Sequence, residues 1–342
     1  MSDDRRTVTW LLAIIAFVMT VAGIMLSYPV TMPLTVAVFV IAVVWPVKPW
    51  LDRFMPSWAS YVATILVLLL ATAAFATAVY ISLAGVVRSM VERQDQFRAL
   101  LDTYSTWAKA HDFPVPGANG YGWVVAAAEA LLASTYTVLA YLGSIAVLVV
   151  LGLPEVQALG RKLAANGAEE HHISALFARI AGSFRTYVAV TLITSVITGV
   201  ASSVWALATG LDLWLTWGML NFLLNFVPIV GNIIGILPPT LYAVVQFQDW
   251  TMPLVVLGGY TVLQIVISNF IEPLLQGQGL SLSPITIVVA VGFWGWVWGL
   301  AGALLAVPLT AVLVITCQHF NAARGLTMLL SNREPRRRRV RT

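Results

Sequence analysis

The chain has 342 residues, of which 59% are hydrophobic and only 10% are charged, and its formal net charge at pH 7 is +4. Soluble domains carry about a quarter charged residues, so this composition excludes a soluble globular protein and indicates one that crosses a membrane several times. The single cysteine, Cys317, excludes an intrachain disulfide and a metal site built on cysteines.

The N-terminal region, residues 1–83, predicts three membrane-spanning helices, because each crossing needs about 20 apolar residues. The spans cover residues 8–27, 33–47 and 58–83. The first apolar run is too long for a signal peptide and lacks a small-residue cleavage pattern, so we expect it to be retained. Only a tight turn at Tyr28 and Pro29 separates the first two spans, which predicts a hairpin.

Two polar segments follow the third span. In residues 84–112, apolar side chains recur at mostly helical spacing between charged ones, which predicts an amphipathic helix outside the hydrocarbon core. This helix opens an extracytoplasmic segment, 84–133, which also contains a Pro- and Gly-rich loop at 113–122. The next segment, 134–186, comprises a fourth span at 134–153 and a cytoplasmic linker. The polar stretch of this linker predicts an interfacial helix in its latter half.

The positions of lysine and arginine predict the orientation, since these residues favour the cytoplasmic side in short loops. Basic residues lie at the N-terminus, in the linker before the third span and in the polar stretch after the fourth. Arginines also dominate the C-terminal tail, 321–342. We therefore expect both termini in the cytoplasm, and we expect the tail to attract anionic lipid rather than nucleic acid.

The C-terminal region, 187–320, is the least charged part of the chain, with no lysine or arginine from Thr186 to Ala323. A fifth span, 187–208, is followed by apolar blocks at 213–245, 253–270 and 285–317. The first and third blocks would each be about 50 Å long as straight helices, against a hydrocarbon core of about 30 Å. They are either tilted, broken single spans or hairpins. We expect hairpins, because each block has small or helix-breaking residues near its middle, and two similar breaks suggest an internal repeat.

These elements predict an all-α polytopic membrane protein with about 6–8 transmembrane helices, two broken or re-entrant helical hairpins in the C-terminal half, and amphipathic extramembrane helices. The sequence contains no nucleophile-and-base set, no phosphate-binding loop and no metal-ligand spacing. We therefore expect neither an enzyme nor an ATP-driven pump, and no cofactor or bound metal.

Four motifs lie along the C-terminal third: Pro228 with Gly231; Pro238 with Pro239; Glu272 with Pro273; and Gly295, Gly299, Gly302, Ala306 and Pro308. In this combination they resemble the autoinducer-2 exporter (AI-2E) family of bacterial permeases, and the resemblance extends to the extramembrane helix after the third span. It implies a protein of the bacterial inner membrane that exports a small signalling furanone. Some relatives are associated with sodium- or lithium-proton antiport.

Three asparagines are candidate binding residues in the first block. If Pro228 leaves the helical register intact, Asn221, Asn225 and Asn232 share one face, where their amides would bind a polar ligand or a cation, or join helix to helix. Pro228 cannot donate to the carbonyl four residues back, which frees carbonyls near Leu224 and Asn225 for ligands. Pro238 and Pro239 free further carbonyls near Ile234 and Gly235 in the same way. The alternative for these prolines is a simple kink or a hairpin tip.

Glu272 is the most suggestive single residue, because it follows an apolar block and precedes Pro273 near a membrane boundary. A carboxylate there would carry a proton or hold a cation. The alternative is that it lies in a loop exposed to the cytoplasm or caps a helix N-terminus. Gln264 and Asn269 lie on nearby turns as its expected partners. The candidate substrate or ion site therefore comprises Asn221, Asn225, Pro228, Gly231, Asn232, Gln264, Asn269, Glu272 and Pro273.

Other polar and aromatic residues favour structural roles. Asp212 and Asp249 each lie close before a tryptophan, as in an interfacial belt, and the spacing of Gly295 and Gly299 is typical of close helix packing. The pair His171 and His172 is interpreted as a solvated turn. Three tryptophans would line an amphipathic path or anchor the chain at the lipid interface: Trp294, Trp296 and Trp298.

The expected function is that of a permease exporting a small polar or amphipathic solute by alternating access. Its expected partners are the bilayer, the solute or ion, and further copies of the chain, since the amphipathic helix at 84–112 has an apolar face to bury. Two alternatives stay open. One is a sodium- or lithium-proton antiporter using Glu272, and the other is a membrane scaffold or assembly protein that transports nothing.

Overall fold

The computed structural model describes residues 2–44, 47–111, 137, 139–155, 168–247, 249–276 and 283–319. All regular structure in these ranges is helical, which confirms the predicted all-α class. The helices are α1 (Ser2–Leu26), α2 (Tyr28–Val44), α3 (Val47–Leu51), α4 (Ser57–Glu92), α5 (Gln94–Ala110), α6 (Leu139–Glu155), α7 (Ala168–Ala208), α8 (Trp214–Leu224), α9 (Val230–Phe247), α10 (Thr251–Val266), α11 (Glu272–Gln276) and α12 (Pro284–His319), with a π-helical turn, Ile267–Ile271, between α10 and α11. The predicted loop at 113–122, the tail at 321–342 and the side chains of His171 and His172 lie outside the described part.

Packing divides the chain into two compact units. The terminal unit comprises Met1–Trp50, Ile145–Tyr187 and Gln278–Thr342, and the central unit comprises Leu51–Ser144 and Val188–Gly277. Helix α7 passes from the terminal unit into the central unit after Tyr187. The five-segment division drawn from the sequence stays a prediction.

Six described helical segments are long and apolar enough to cross a membrane. They are Tyr28–Leu51, Ser57–Val86, Ile180–Ala208, Val230–Phe247, Thr251–Leu275 and Pro284–Thr316. Shorter apolar helices cover Leu11–Leu26, Leu139–Glu155 and Trp214–Leu224. The chain is therefore a polytopic membrane protein.

The junction between α1 and α2 differs from the prediction. Helix α1 ends at Leu26 and Tyr28 already belongs to α2, so Ser27 alone lies between them. The Ser27 N–H donates to the Gly23 oxygen at 3.0 Å and the Thr31 N–H donates to the Ser27 oxygen at 2.9 Å, which continues helical bonding on both sides. The predicted turn at Tyr28 and Pro29 is therefore wrong, and the two helices meet at a bend.

Two helix boundaries were also predicted wrongly. Helix α4 continues past the predicted break near residue 84 and ends at Glu92, so its 36 residues extend for about 54 Å, well beyond a hydrocarbon core of about 30 Å. Helix α7 joins the predicted interfacial helix and the fifth span into one element of 41 residues. In both cases the change between polar and apolar sequence falls inside a helix rather than at its end.

The block 213–245 folds back on itself as hairpin one, which consists of α8, the turn 225–229 and α9. Asn221 in α8 bonds to the backbone of Gly235 in α9, and a Cβ atom at Gly231 would overlap the carbonyl oxygen of Leu224. Helix α8 has 11 residues, or about 16 Å, which is too short to cross the hydrocarbon core alone. The predicted hairpin is confirmed here.

The block 285–317 also folds back, as hairpin two within α12. Its helical backbone is broken at Trp298 and at Gly299, which has φ 60° and ψ −141°. The indole N–H of Trp294 donates to the Thr310 hydroxyl at 3.2 Å, although sixteen residues of straight helix would separate these positions by about 24 Å. The second predicted hairpin is thus confirmed as a chain reversal.

The core of the central unit lies where α8, α9 and α10 meet the end of α7. Its fully buried members are Ala206, Leu211, Trp217, Tyr242, Ala243, Val256 and Tyr260. The Tyr260 hydroxyl donates to the Ser202 backbone oxygen at 3.2 Å, and Gly259 lies directly against the Trp205 ring. This packing holds α10 against α7 and positions the polar residues described next.

Candidate functional site

The first polar contact of the central unit is between Asn221 and the backbone of α9. Pro239 has no N–H, so the Gly235 carbonyl four residues earlier lacks its usual helical donor. The Asn221 amide nitrogen donates to that oxygen at 3.2 Å and to the Trp217 oxygen at 3.0 Å. A side chain at Gly235 would overlap the Asn221 amide. The prediction that these prolines free a carbonyl is confirmed at Gly235, where an amide takes the place of a ligand.

Gln264 extends this contact to α10. Its Nε2 donates to the Asn221 Oδ1 at 3.1 Å, and the side chains are almost fully buried, with Gln264 6% and Asn221 1% exposed. Gln264 lies thirteen residues after Thr251 and eleven before Leu275, the two ends of an apolar span. The contact is therefore near the middle of a helix that is long enough to cross the bilayer, the depth at which transporters bind their substrates.

A second contact lies one turn further along both helices. The Asn232 amide nitrogen donates to the Ser268 Oγ at 2.6 Å. Ser268 belongs to the π-helical turn, in which the Glu272 N–H donates five residues back to the Ile267 oxygen. Single π turns inside α-helices frequently mark functional sites. We call the five residues of the two contacts the polar ladder: Asn221, Asn232, Gly235, Gln264 and Ser268.

The polar ladder contains two acceptor atoms without a donor. Gln264 Oε1 and Asn232 Oδ1 are buried, and neither has a hydrogen-bond partner within the described ranges. Most buried polar atoms in proteins are partnered, and each unmade hydrogen bond costs about 1–3 kcal/mol. The ladder therefore contains two unmet acceptors on facing helices, at Gln264 and Asn232.

Asn225 has a different environment. Its amide nitrogen donates to the hydroxyls of Thr194 at 3.2 Å and Ser195 at 3.0 Å, and its oxygen accepts from Thr198 at 3.4 Å. Every polar atom of this amide is partnered by α7, which favours the helix-joining role. The turn after Asn225 reverses the chain, so Asn232 faces α10 instead, and the predicted common face of the three asparagines is wrong.

The turn of hairpin one contains strained backbone. Ile229 has φ 63°, and the Val230 N–H donates to the Pro228 oxygen two residues back at 2.6 Å, as in a γ-turn. A β-branched residue in the left-handed region is unusual and strained. The predicted free carbonyl at Leu224 is wrong, because that oxygen accepts the Val227 N–H at 2.9 Å. Pro228 was a candidate from the sequence and Ile229 was not, because an isoleucine gives no sign in the sequence of a left-handed backbone conformation.

The expected partners of Glu272 are only partly where the sequence placed them. Gln264 uses its nitrogen for Asn221 and its oxygen has no donor, so the predicted pairing of Gln264 with Glu272 is wrong. Asn269 is exposed and donates to the Ile265 oxygen of its own helix at 3.0 Å. Glu272 and Pro273 begin α11 directly after the π turn. Their role in a site stays a prediction.

An ion pair missed by sequence reasoning joins the end of α4 to the start of hairpin one. Arg93 bonds to the carboxylate of Asp212 and lies over the Tyr242 ring, 5.3 Å from its centroid. The backbone N–H of Asp212 donates to the Gln246 side chain at 2.9 Å. The pair is half-exposed, and the two residues are 119 positions apart, so no local pattern in the sequence reveals it.

The tryptophans of hairpin two are divided between packing and surface. Trp294 and Trp298 are buried with ring centroids 5.5 Å apart, whereas Trp296 is 65% exposed. A Cβ atom at Gly302 would overlap the Trp294 carbonyl oxygen, so this glycine permits the close approach of the two arms. The arrangement favours packing for Trp294 and Trp298, and it leaves Trp296 available as an interface anchor.

Comparisons with known proteins find similarity to a family of transporters. Residues 14–322 match the family described as AI-2E family transporter. Over 140 residues the chain is 36% identical to the AI-2 transport protein TqsA of Escherichia coli (strain K12), a match covering 40% of each protein. It is 32% identical over 167 residues to YhhT of the same strain, which is named for transport without a substrate, covering 49% of this chain and 47% of YhhT. The chain thus aligns with about two fifths to a half of the length of these relatives.

Proposed function

The chain belongs to the AI-2E family of transporters, and on that basis we propose that it is a permease exporting a small polar or amphipathic solute across the bacterial inner membrane. The single observation that carries this proposal is the polar ladder, whose two buried acceptor atoms lack donors among the described residues, one near the middle of the apolar span Thr251–Leu275 and one in the first turn of α9. The name of TqsA makes an autoinducer-2-like signal the first solute to test.

We propose alternating access as the mechanism, with hairpin one as the moving element. Its two arms pack against α10 through the ladder, and its turn holds Ile229 in a strained conformation that a change of hairpin position would relieve. Such strain costs about 1–3 kcal/mol, a suitable size for a balance between two states. Binding of the solute at the ladder would favour one position of hairpin one, and release would favour the other.

The test compares metabolites in cytosol and medium between cells that have the protein and cells that lack it. The wild type should export at least one polar solute, and Gln264→Met should reduce that export at least tenfold. Thr261→Val is the matched control, because Thr261 lies on the same helix outside the candidate site and its hydroxyl donates to the Leu257 oxygen of that helix. Equal metabolite profiles with and without the protein would contradict export, and a stable complex with another membrane protein would then favour the scaffold alternative.

Cation–proton antiport is the second candidate, and the position of Glu272 favours it. This acid begins α11 four residues after Ser268 of the ladder, directly beyond the π turn. Glu272→Gln should then abolish sodium- or lithium-driven proton movement in proteoliposomes and leave organic solute flux unchanged. Proton movement that persists in Glu272→Gln contradicts antiport by this residue.

We also propose that the chain forms a homo-oligomer with both termini in the cytoplasm. The amphipathic sequence of α5 supports the first statement, and the distribution of arginine and lysine supports the second. Native mass measurement in detergent tests the oligomer, where a monomer at every concentration contradicts it. Labelling of single cysteines at the termini from each side of the membrane tests the orientation, in a Cys317→Ser background.

A further inference from the structure

Hydrogen bonding within the polar ladder leaves Gln264 no choice of orientation. Both N–H groups of the Asn221 amide point at backbone carbonyls, those of Trp217 and Gly235, and carbonyls only accept. The Asn221 amide therefore cannot be turned over, and its Oδ1 needs a donor. Among the described residues, only the nitrogen of Gln264 supplies one, at 3.1 Å. The Gln264 Oε1 is consequently held as an acceptor on the other side of its amide.

This fixed acceptor has no donor of its own among the described residues, although Gln264 is 94% buried, the complement of its 6% exposure. Turning the Gln264 amide over would place its oxygen against the Asn221 oxygen, so the unmet acceptor is built into the network. Asn232 presents a second unpartnered atom, Oδ1, on the facing helix one turn away, which is about 5.4 Å along a helix axis. Its amide bonds the Ser268 hydroxyl, which can donate or accept, so Gln264 is the acceptor whose orientation the network fixes. Trp205 Nε1 and Trp298 Nε1 also lack a partner among the described residues, but they are single donors, whereas the two ladder atoms are oxygens on facing helices.

The chemistry of the ladder limits what can bind there. Its members are amides, one hydroxyl and backbone carbonyls, with no charged side chain among them. Burying a cation without an opposite charge is costly, and burying an anion against two acceptor oxygens is worse. A neutral hydroxyl or amide N–H satisfies an amide oxygen with no charge to compensate.

We propose that the polar ladder is the recognition site for a small uncharged solute, which donates hydrogen bonds from two separate hydroxyl or N–H groups to Gln264 Oε1 and Asn232 Oδ1. This inference rests on the proposed function and adds the class of solute. Sites built to bond a particular donor reject analogues that lack it far more strongly than apolar pockets reject a change of size. The ladder is therefore expected to prefer solutes that carry hydrogen-bond donors over analogues that lack them.

The first test needs no ligand and compares melting temperatures of the purified protein. Asn232→Leu removes one hydrogen bond, to Ser268, together with an acceptor that has no donor, so its melting temperature should change by no more than about 4 °C in either direction. Asn225→Leu is the matched control, since its amide is fully partnered, and its melting temperature should fall. A fall in Asn232→Leu as large as in Asn225→Leu shows that Asn232 only joins helices and overturns the inference.

The second test measures solute entry by the reswelling of proteoliposomes after osmotic shock. Erythritol and ribose carry hydroxyl donors, whereas glycine betaine and trimethylamine N-oxide are polar without any N–H or O–H group. Wild-type protein should admit the hydroxylated solutes and not the donor-free ones, and Asn232→Leu and Gln264→Met should each slow entry at least tenfold. Entry of betaine as fast as erythritol overturns the inference. No entry or export of any solute contradicts the proposed permease instead, while the melting comparison still decides the class of site.

The third test asks whether the ladder binds a monovalent cation instead of a neutral solute. Melting temperatures of the wild type are compared in sodium, lithium and choline chloride at equal ionic strength, because a ligand that binds the folded state raises stability by mass action. Equal values in the three salts agree with a neutral solute. A rise in sodium or lithium that is lost in Asn232→Leu overturns the inference and assigns the ladder to a monovalent cation.

Discussion

Hairpin one and hairpin two share a backbone design but differ in what their side chains do. Each reverses at a residue in the left-handed region, Ile229 with φ 63° and Gly299 with φ 60°. In each, a glycine shortly after the turn lies against a carbonyl of the first arm. The arms of hairpin two are joined by the bond from Trp294 to Thr310, whereas hairpin one carries contacts of the polar ladder. The side chains, rather than the backbone geometry, therefore make hairpin one the candidate functional site.

The largest expected effect is on folding, and it tests the close contact between a glycine and a carbonyl oxygen that both hairpins share. Gly231→Ala and Gly302→Ala would each place a methyl group on a carbonyl oxygen, so both should cost more than about 4 kcal/mol and reduce the yield of folded protein. Gly292→Ala is the control, because nothing lies near its added methyl group and its helical site tolerates alanine. Folded yield in detergent is the measurement. Normal yield of either glycine variant would show that this hairpin is not closed as described.

The next prediction separates the two hairpins by function. Gln264→Met removes the fixed acceptor beside hairpin one, and solute flux through proteoliposomes should fall at least tenfold. Thr310→Val removes the partner of the Trp294 indole in hairpin two, which should cost about 1–3 kcal/mol of stability but leave flux within about twofold of the wild type. Equal losses of flux in both variants would remove the functional difference between the hairpins.

Substitutions at the turn residues of the two hairpins should change stability in opposite directions. Ile229→Gly relieves a left-handed cost of about 1–2 kcal/mol and adds a smaller entropic cost of about 0.5–1 kcal/mol, so stability should rise slightly. Gly299→Ala introduces strain of about 1–3 kcal/mol and should lower stability. Thermal unfolding in detergent measures both. A loss of stability in Ile229→Gly would mean that packing of the isoleucine outweighs its strain.

The smallest effect concerns the link between hairpin one and the end of α4. Arg93 and Asp212 are partly exposed, so their coupling should be no more than about 1 kcal/mol and should weaken with salt. A double-mutant cycle of Arg93→Ala and Asp212→Ala at low and high salt measures this coupling. Coupling that does not change with salt would contradict a solvent-screened ion pair at this position.

The two hairpins could be predicted from sequence because apolar blocks about 50 Å long do not fit a core of about 30 Å, and their breaking residues lie at the middle. The continuity of α4 through Glu92 could not, since a change to polar sequence looks the same whether a helix ends or only leaves the membrane. The proline effect was correctly placed at Gly235 and wrongly at Leu224, because a nearby N–H satisfied the second carbonyl.

The candidate site was predicted in its residue types but not in its geometry. Asn221, Asn232 and Gln264 were all chosen from the sequence, yet their pairing depends on where the chain reverses. That reversal turns Asn232 away from Asn225 and towards Ser268, which sequence reasoning had not selected. The contact between Arg93 and Asp212 joins residues far apart along the chain, so only the fold brings them together.

The most direct test of the central claim is the rate of solute entry into proteoliposomes containing Asn232→Leu. If the polar ladder binds the solute, this variant should melt within about 4 °C of the wild type, and it should admit hydroxylated solutes at least tenfold more slowly. Entry at the wild-type rate in a folded Asn232→Leu protein would contradict the claim that the ladder is the transport site.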